Sequence, residues 1–320
     1  MVELVSDYRD FDFASLWQGR EKVTDVEREL LRLAFHPPGR QRILEIGTGF
    51  GRLTRTLTGL AAEVVCSDFD SHSLGRLDFP DPPGGPTMRV AANVFHLPFV
   101  DGAFTDASMV RVHHHLADPR AAMRELYRVL QGAGRLVVSY NPKPTIGTFV
   151  NDVRRATRRA GTTPFESTTF SPKGRIELRP DPFPIYVASR RRFAEDLEAA
   201  GFELEREMVS GLEEHCPVKY ASTRAIVRLA EVFGRAPTFP TRWAIARCGK
   251  APMPLPPGDQ LLACPRCRAP LELPQDGAAP SCRTCGYVGR RTSGRVLDLR
   301  YLGEGAVRVG SRPPQAPALR

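Results

Sequence analysis

Lysine is scarce in this chain, supplying five of its 45 basic residues, and arginine supplies the rest. The formal charge is nevertheless +9, against 36 acidic residues. Such a balance permits binding to nucleic acid or to an anionic substrate but does not establish either. Long apolar runs are also missing. No stretch approaches the ~20 residues that a membrane-spanning helix needs, so no membrane span is expected. The opening Met1 to Asp7 lacks the basic region followed by an apolar one that marks a secretory leader. These absences point to a cytoplasmic protein. Cysteine is thin over most of the chain: Cys66, Cys216 and Cys248 stand alone, while four of the seven cysteines fall in the last 60 residues. That distribution excludes a disulfide framework, and isolated cysteines of this kind are usually small buried hydrophobes.

What is present is an ordinary soluble composition, 42% hydrophobic. At 320 residues the chain can build one large core with something small beside it. The informative stretch is Ile43-Leu44-Glu45-Ile46-Gly47-Thr48-Gly49-Phe50-Gly51-Arg52. An apolar run carrying one acid is followed by alternate glycines, and then by Leu53, Leu57 and Leu60 at helical spacing. It reads as strand, glycine turn, helix. Glycines let the backbone turn sharply and come close to a ligand, and the helix start offers free N–H groups to something electronegative. Val64-Val65-Cys66-Ser67 then reads as a second strand ending in Asp68, about 20 residues past the glycines, where an acid holds ribose hydroxyls. Together they make a nucleoside-binding βαβ unit.

Glu45 through Gly51, with Asp68, resemble the first two motifs of class I S-adenosylmethionine-dependent methyltransferases. Leu97-Pro98-Phe99, Asp101-Gly102, Phe104, His114-His115-Leu116, Asp118-Pro119, Glu125-Leu126 through Val129-Leu130, and Gly134-Arg135-Leu136 resemble the branch that includes the ubiquinone/menaquinone-biosynthesis methyltransferases. The resemblance implies an α/β fold, a Rossmann-like seven-stranded sheet with helices on both faces, and S-adenosylmethionine as cofactor. It implies that Glu45 and the backbone at Gly47, Gly49 and Gly51 line the methionine end, that Asp68 takes the ribose hydroxyls, and that Phe69 packs on the adenine. It places Asn93 near the adenine amino group, where the family usually has an acid, and Val94 N–H toward the ring. Thr105 also departs from the family, which generally shows Asp there. His114 and His115 are the candidate catalytic residues, with backbone bonding in the loop as their alternative role. Arg111 at the same rim could hold an anionic acceptor. Asn141-Pro142-Lys143-Pro144 follows the fifth strand and not the fourth, which excludes the N-P-P-Y motif of amino-group DNA methyltransferases.

Further strands are expected over Met88–Ala92, Ala107–Val110, Arg135–Tyr140, Phe202–Val209 and Arg242–Cys248. A leading helix carries Val23, Val26, Leu30 and Leu31. Another begins at Asp118 and Pro119 and is closed by Gly132, and two more run from about Arg190 to Ala200 and Ser222 to Phe233. The pattern breaks over 141–188, a proline-rich, basic stretch read as a candidate substrate lid. The methyltransferase domain is expected over 1–250, followed by a proline-rich linker at 251–260, a zinc ribbon at 261–302 and a flexible tail at 303–320.

The ribbon rests on two C-x2-C pairs, Cys264/Cys267 and Cys282/Cys285, separated by 14 residues. Two such knuckles converge four thiolates, the tetrahedral set that Zn²⁺ accepts, and four protein ligands leave no open position, so the zinc is structural. The segment resembles the small zinc-ribbon protein that activates certain tRNA and rRNA methyltransferases, and the ribbon of some rRNA guanine methyltransferases. Three functions follow as expectations. The first is methyl transfer to a small-molecule acceptor. The second is RNA base methylation, with the ribbon and Arg154, Arg155, Arg158 and Arg159 on phosphates. The third is a non-catalytic partner-binding protein with a remnant cofactor site, disfavoured by intact Glu45, glycines and Asp68.

Overall fold

A computed structural model describes residues 4–6, 13–83, 85, 87–142, 175–177, 186–214, 218–236, 241–274, 277–292, 295–303 and 306–309. The run Arg154, Arg155, Arg158 and Arg159, Cys216, and most of the candidate lid lie outside them. In chain order the strands are β1 (Leu4–Ser6), β2 (Arg40–Ile46), β3 (Ala61–Asp68), β4 (Met88–Ala91), β5 (Phe104–Met109), β6 (Leu130–Tyr140), β7 (Arg175–Glu177), β8 (Tyr186–Ala188), β9 (Phe202–Ser210), β10 (Thr241–Cys248), β11 (Arg290–Thr292), β12 (Val296–Asp298) and β13 (Val307–Val309). The helices are α1 (Phe13–Leu16), α2 (Glu21–Ala34), α3 (Thr54–Thr58), α4 (Ser71–Gly75), α5 (Pro119–Val129), α6 (Arg190–Ala199) and α7 (Thr223–Val232).

The main sheet runs β11-β12-β4-β3-β2-β5-β6-β10-β9. Its seven strands from β4 to β9 are those expected, parallel except for β10, which is antiparallel to both β6 and β9. Two more strands extend it. β12 pairs parallel with β4, Asp298 opposite Ala91, and β11 pairs antiparallel with β12. The sheet is therefore nine-stranded rather than seven-stranded, because the Val296–Asp298 run supplies apolar residues and free ladder groups to the otherwise open edge at β4.

Side chains alternate across the strands and divide two cores. Ile43, Val64, Cys66, Val137, Trp243 and Ile245 face one layer, with Val26, Leu30 and Leu31 of α2, Leu57 of α3 and Ile226 of α7. Leu44, Val65, Leu136, Val138, Ala244 and Ala246 face the other, with Met123 and Leu126 of α5 and Phe193 and Leu197 of α6. Leu261, Leu262, Cys264, Leu271, Cys282 and Leu299 belong to that second core. The C-terminal segment is thus built onto the sheet rather than standing beyond a linker. Ala263 N–H donates to Pro98 O (3.0 Å) and Val100 N–H to Leu261 O (3.1 Å). Glu125 of α5 accepts from Leu97 N–H (3.0 Å) and from Arg268 (2.8 Å). The 251–260 stretch also touches the body, Pro256 O accepting from the buried Arg42 at 3.0 Å.

Two local expectations change. Gly132 does not close α5: the chain passes from Val129 straight into β6, and Gly132 lies within that strand. A Cβ there would sit 2.2 Å from the Ala251 backbone, so close chain approach explains the glycine. The tail is not wholly loose, since Val307–Val309 pairs parallel with β1. Thr105, in place of the family's acid, is satisfied by neighbouring backbone, donating to Arg42 O (2.9 Å) and accepting from Arg42 N–H (3.2 Å).

Trp243 is fully buried and donates to Ser210 Oγ at 3.1 Å. Trp243→Ala is expected to destabilise the fold by ~3–5 kcal/mol, with a cavity left between β10 and the α2/α7 layer. Urea unfolding measures this, and a loss below ~1 kcal/mol would contradict the packing described.

Candidate cofactor site and candidate metal centre

The site forms where strand order reverses, at the carboxyl ends of β2, β3 and β5. Parallel pairing sets Glu45 opposite Cys66 and Ile46 opposite Ser67. The chain then turns through Gly47, Gly49 and Gly51, all left-handed, at φ 74°, 54° and 81°. Two of these positions are closed. A Cβ at Gly47 would lie 2.0 Å from Val112 Cγ2, and one at Gly51 would lie 2.8 Å from Leu77 Cδ2. Gly49 has nothing within 4 Å in that direction. The turn is therefore wedged at both ends and open in the middle, the shape of a cradle.

Asp68 closes the turn from the next strand. Its Oδ2 accepts from Gly49 N–H (2.8 Å) and its Oδ1 from Asp70 N–H (2.9 Å). A third backbone N–H, that of Phe69, also bonds the carboxylate, whose two oxygens offer about four acceptor sites. Burial pushes the Asp68 carboxyl above its ordinary value, against the lowering effect of those N–H groups. Glu45 lies behind the turn, buried, and accepts from Thr54 Oγ1 at 2.6 Å. Burial raises it to about 7, although Thr54, Thr48 and Arg52 pull the other way. Asn93 is buried at the end of β4, its Oδ1 accepting from Phe95 N–H (3.2 Å) and its Nδ2 donating to Tyr301 O (3.0 Å). Val94 is half-buried beside it. The Arg300 guanidinium lies over the Phe69 ring at 5.3 Å.

The histidines form a single turn of 3₁₀-helix after β5. His113 packs edge-on to Tyr140 and Phe193, themselves stacked at 3.7 Å. His114 and His115 lie with ring centroids 4.0 Å apart. Burial, then the neighbouring His115, Arg111 and His113, hold His114 well below its ordinary value, so it is neutral at neutral pH.

Glu27 is a residue that sequence reading passed over. It is fully buried on α2 and engages Arg52 (2.6 Å) and Arg111 (2.7 Å). Arg52 in turn lies 3.6 Å over the Trp17 ring. Arg111 is thus committed to Glu27 and to Thr241 Oγ1 (3.3 Å). A signal was present: Glu27 falls on the same helical stripe as Val23, Val26, Leu30 and Leu31, where a charge needs a partner. Arg300 and Tyr301 were missed for another reason, since only the fold brings them to Phe69 and Asn93.

The four cysteines Cys264, Cys267, Cys282 and Cys285 place their sulfurs within 4.8 Å of one another. Cys264 and Cys285 are 3.6 Å apart, Cys267 and Cys282 3.5 Å. These are not bonded distances, and they match the ~3.8 Å edge of a tetrahedron with ~2.3 Å metal–sulfur bonds. The knuckles repeat one geometry. Arg268 N–H donates to Cys264 O and Gly286 N–H to Cys282 O, at 2.8 and 2.9 Å. Both donors are left-handed, at φ 65° and 72°. Backbone N–H groups of Cys285 and then Thr284 bring the Cys282 thiol down to about 6, while burial pushes Cys264 up to about 12. The donor set fits a soft tetrahedral metal.

A doubly wound sheet with a glycine turn and an acid on adjacent strands at its switch point defines the nucleoside-cofactor class of α/β domain. Within that class, residues 44–138 match the methyltransferase domain family. It is 39% identical over 112 residues to the demethylmenaquinone methyltransferase of Thermus thermophilus, covering 34% of this chain and 51% of that protein. It is 36% identical over 109 residues to the ubiquinone/menaquinone biosynthesis C-methyltransferase of Hahella chejuensis, covering 32% and 44%. The chain thus spans about half the length of these relatives. A solved S-adenosylmethionine-dependent methyltransferase from Mesorhizobium loti is 20% identical with a TM-score of 0.46, covering 69% of this chain and 97% of that one. Among the described residues, no helix is long and apolar enough to cross a membrane.

The raised Glu45 carboxyl has a consequence for stability. Between its ordinary value of 4.5 and about 7 the folded state binds a proton that the unfolded chain has released. Stability falls as pH rises through that window, by up to ~3 kcal/mol, and the loss stays constant above it. Urea unfolding at pH 5 and pH 8 is expected to show this loss in the parent and a smaller one in Glu45→Gln. An equal loss in both proteins would contradict it.

Proposed function

We propose that the chain is an S-adenosylmethionine-dependent methyltransferase acting on an O, N or C nucleophile of a small-molecule acceptor. The observation that carries the reading is the cradle at Gly49, open toward the site and tied by its N–H to Asp68. The printed names of the matched relatives support a quinone-class ring as the first acceptor to test.

S-adenosylmethionine, when bound, supplies an activated methyl group through its sulfonium. The work left to the protein is to hold donor and acceptor in line and to exclude water. The backbone from Gly47 to Gly51 would receive the methionine end, with Glu45 behind it keeping the turn in place through Thr54. Asp68, fixed by the Gly49 and Asp70 N–H groups, would hold the ribose hydroxyls. Phe69, Asn93 and Val94 would bound the adenine. His114 enters as a neutral, weak base, better suited to positioning an acceptor than to removing its proton. His115, at its side, is the other candidate for that role.

Zn²⁺ is the proposed metal of the Cys264, Cys267, Cys282 and Cys285 site, and its role is structural because all four positions are filled by protein.

Calorimetric titration with S-adenosylhomocysteine is expected to show binding that Asp68→Ala weakens by ~100-fold or more, as expected when charge-assisted bonds to both ribose hydroxyls are lost. No binding to the folded, metal-loaded parent would overturn the reading. Elemental analysis is expected to find about one zinc per chain, and Cys282→Ser is expected to lower that occupancy. Full zinc content in Cys282→Ser would argue against the assigned ligand set.

A further inference from the structure

Two of the three residues proposed to bound the adenine, Phe69 and Asn93, are held by the C-terminal segment. Arg300 lies over the Phe69 ring and donates to Phe69 O at 3.1 Å and to Ser71 Oγ at 3.5 Å. It therefore grips the loop that follows Asp68 by both ring and backbone. Asp298 fixes Arg300, accepting from its Nε at 2.8 Å and its Nη2 at 2.5 Å. One residue further on, Tyr301 O accepts from Asn93 Nδ2 at 3.0 Å. That bond orients a buried amide whose two ends are chemically different. The Tyr301 ring meets His96 edge-on at 5.2 Å, on the loop that follows Asn93.

The segment is anchored upstream of this contact and to one side of it. Upstream, Leu299 N–H donates to Ala91 O at 2.9 Å, continuing the β12–β4 ladder. Sideways, Tyr287 Oη donates to Arg300 O at 3.3 Å, and its ring meets Tyr301 edge-on at 6.4 Å. Tyr287 belongs to the second cysteine knuckle, and its own carbonyl accepts from Cys282 N–H at 2.8 Å. A continuous run of contacts thus links Cys282, Tyr287, Arg300 and Tyr301 to Phe69 and Asn93.

We infer that Arg300 and Tyr301 are positioning residues for the adenine end of the cofactor site, and that the four-cysteine centre holds them in place. The inference rests on the methyltransferase reading above. Its physical basis is pre-organisation. Phe69 sits on a surface loop and Asn93 can flip its amide. Fixing both before the ligand arrives removes an ordering cost from binding. The cysteine centre contributes because its knuckle carries Tyr287, and a metal there stiffens a segment too small to order itself.

The test is S-adenosylhomocysteine affinity by calorimetry on the full chain, in a cycle that crosses metal content with Arg300→Ala. Arg300 also lines an open polar hollow with Ser71, His72, Arg290 and Thr292. Its truncation therefore leaves no void in the apolar core, and the variant is expected to fold. In the zinc-loaded protein Arg300→Ala is expected to weaken binding about tenfold, the scale of one charge-assisted bond. Removing zinc with a chelator is expected to weaken the parent by at least as much, and to cost Arg300→Ala distinctly less, because the two changes disturb the same wall. Tyr287→Phe, zinc-loaded, keeps the ring and loses only the bond to Arg300, and is expected to weaken binding a few-fold. Circular dichroism and the melting temperature of each ligand-free sample report whether it is folded. Should stripping unfold the chain, the two loaded variants decide. Parent-like affinity in both Arg300→Ala and Tyr287→Phe, or a zinc effect of equal size in parent and Arg300→Ala, would overturn the inference while leaving the methyltransferase reading intact. A parent protein that does not bind S-adenosylhomocysteine would remove both.

Discussion

Parallel pairing of β2 with β3 sets Ile46 opposite Ser67, and the geometry of the site follows from that register. The ladder continues past the strands as Gly47 N–H to Ser67 O at 2.8 Å, and then changes from backbone to side chain at Gly49 N–H to Asp68 Oδ2. A slip of one residue would turn Asp68 to the other face of the sheet and leave Gly49 N–H without its carboxylate. The left-handed conformations of the three glycines fit this arrangement, since each takes a backbone shape that a side chain would strain. At Gly47 and Gly51 a side chain would also collide with Val112 and Leu77. The turn is fixed by what packs against it, and only its middle faces open space.

Around that turn the protein buries charge and compensates for it. Glu27 is shielded from water and shared by two guanidiniums. Burial lowers Arg52 from its ordinary value, and Glu27 opposes that shift. Buried ion pairs of this kind are poor sources of net stability. Their effect here is geometric. They join α2 to Arg52 ahead of α3 and to Arg111 beyond β5, tying the leading helix to the glycine turn. Glu45 solves the same problem differently. Burial raises its carboxyl to about 7, so that it carries a proton below neutral pH, and Thr54 Oγ1 donates to it.

The C-terminal segment makes a second structural point. A four-cysteine knuckle pair is too small to bury a core of its own. Here its buried faces, Cys264, Leu271, Cys282 and Leu299, join the layer already formed by α5 and the sheet. β12 then occupies the edge at β4, where ladder groups would otherwise be exposed. The same strand delivers Asp298, Arg300 and Tyr301 to the carboxyl end of β4. One structural device therefore covers an edge, extends a core and borders the site.

The β/α order, the glycine turn, Asp68 and the cysteine spacing were legible in the sequence because each is local. Periodicity, turn chemistry and ligand spacing operate over a few residues, and Asp118 capping Ala121 N–H at 3.0 Å is an instance where a short pattern sufficed. The end of α5 was less legible. Gly132 looks like a helix stop, yet its position is set by the Ala251 backbone lying against it, from a part of the chain more than a hundred residues away. Glu27 was half legible, as a charge on an apolar stripe whose partners could not be named. Nothing local in Val296 to Tyr301 distinguishes a ribbon's closing strand from an extra strand of the main sheet. The sequence by itself determined which residues could hold a nucleoside and which could hold a metal, because those abilities belong to side-chain chemistry and short spacing. Only the tertiary structure set the last strand against β4, and with it Arg300 against Phe69 and Tyr301 against Asn93, because that depends on which distant edge the strand finds to satisfy its backbone groups.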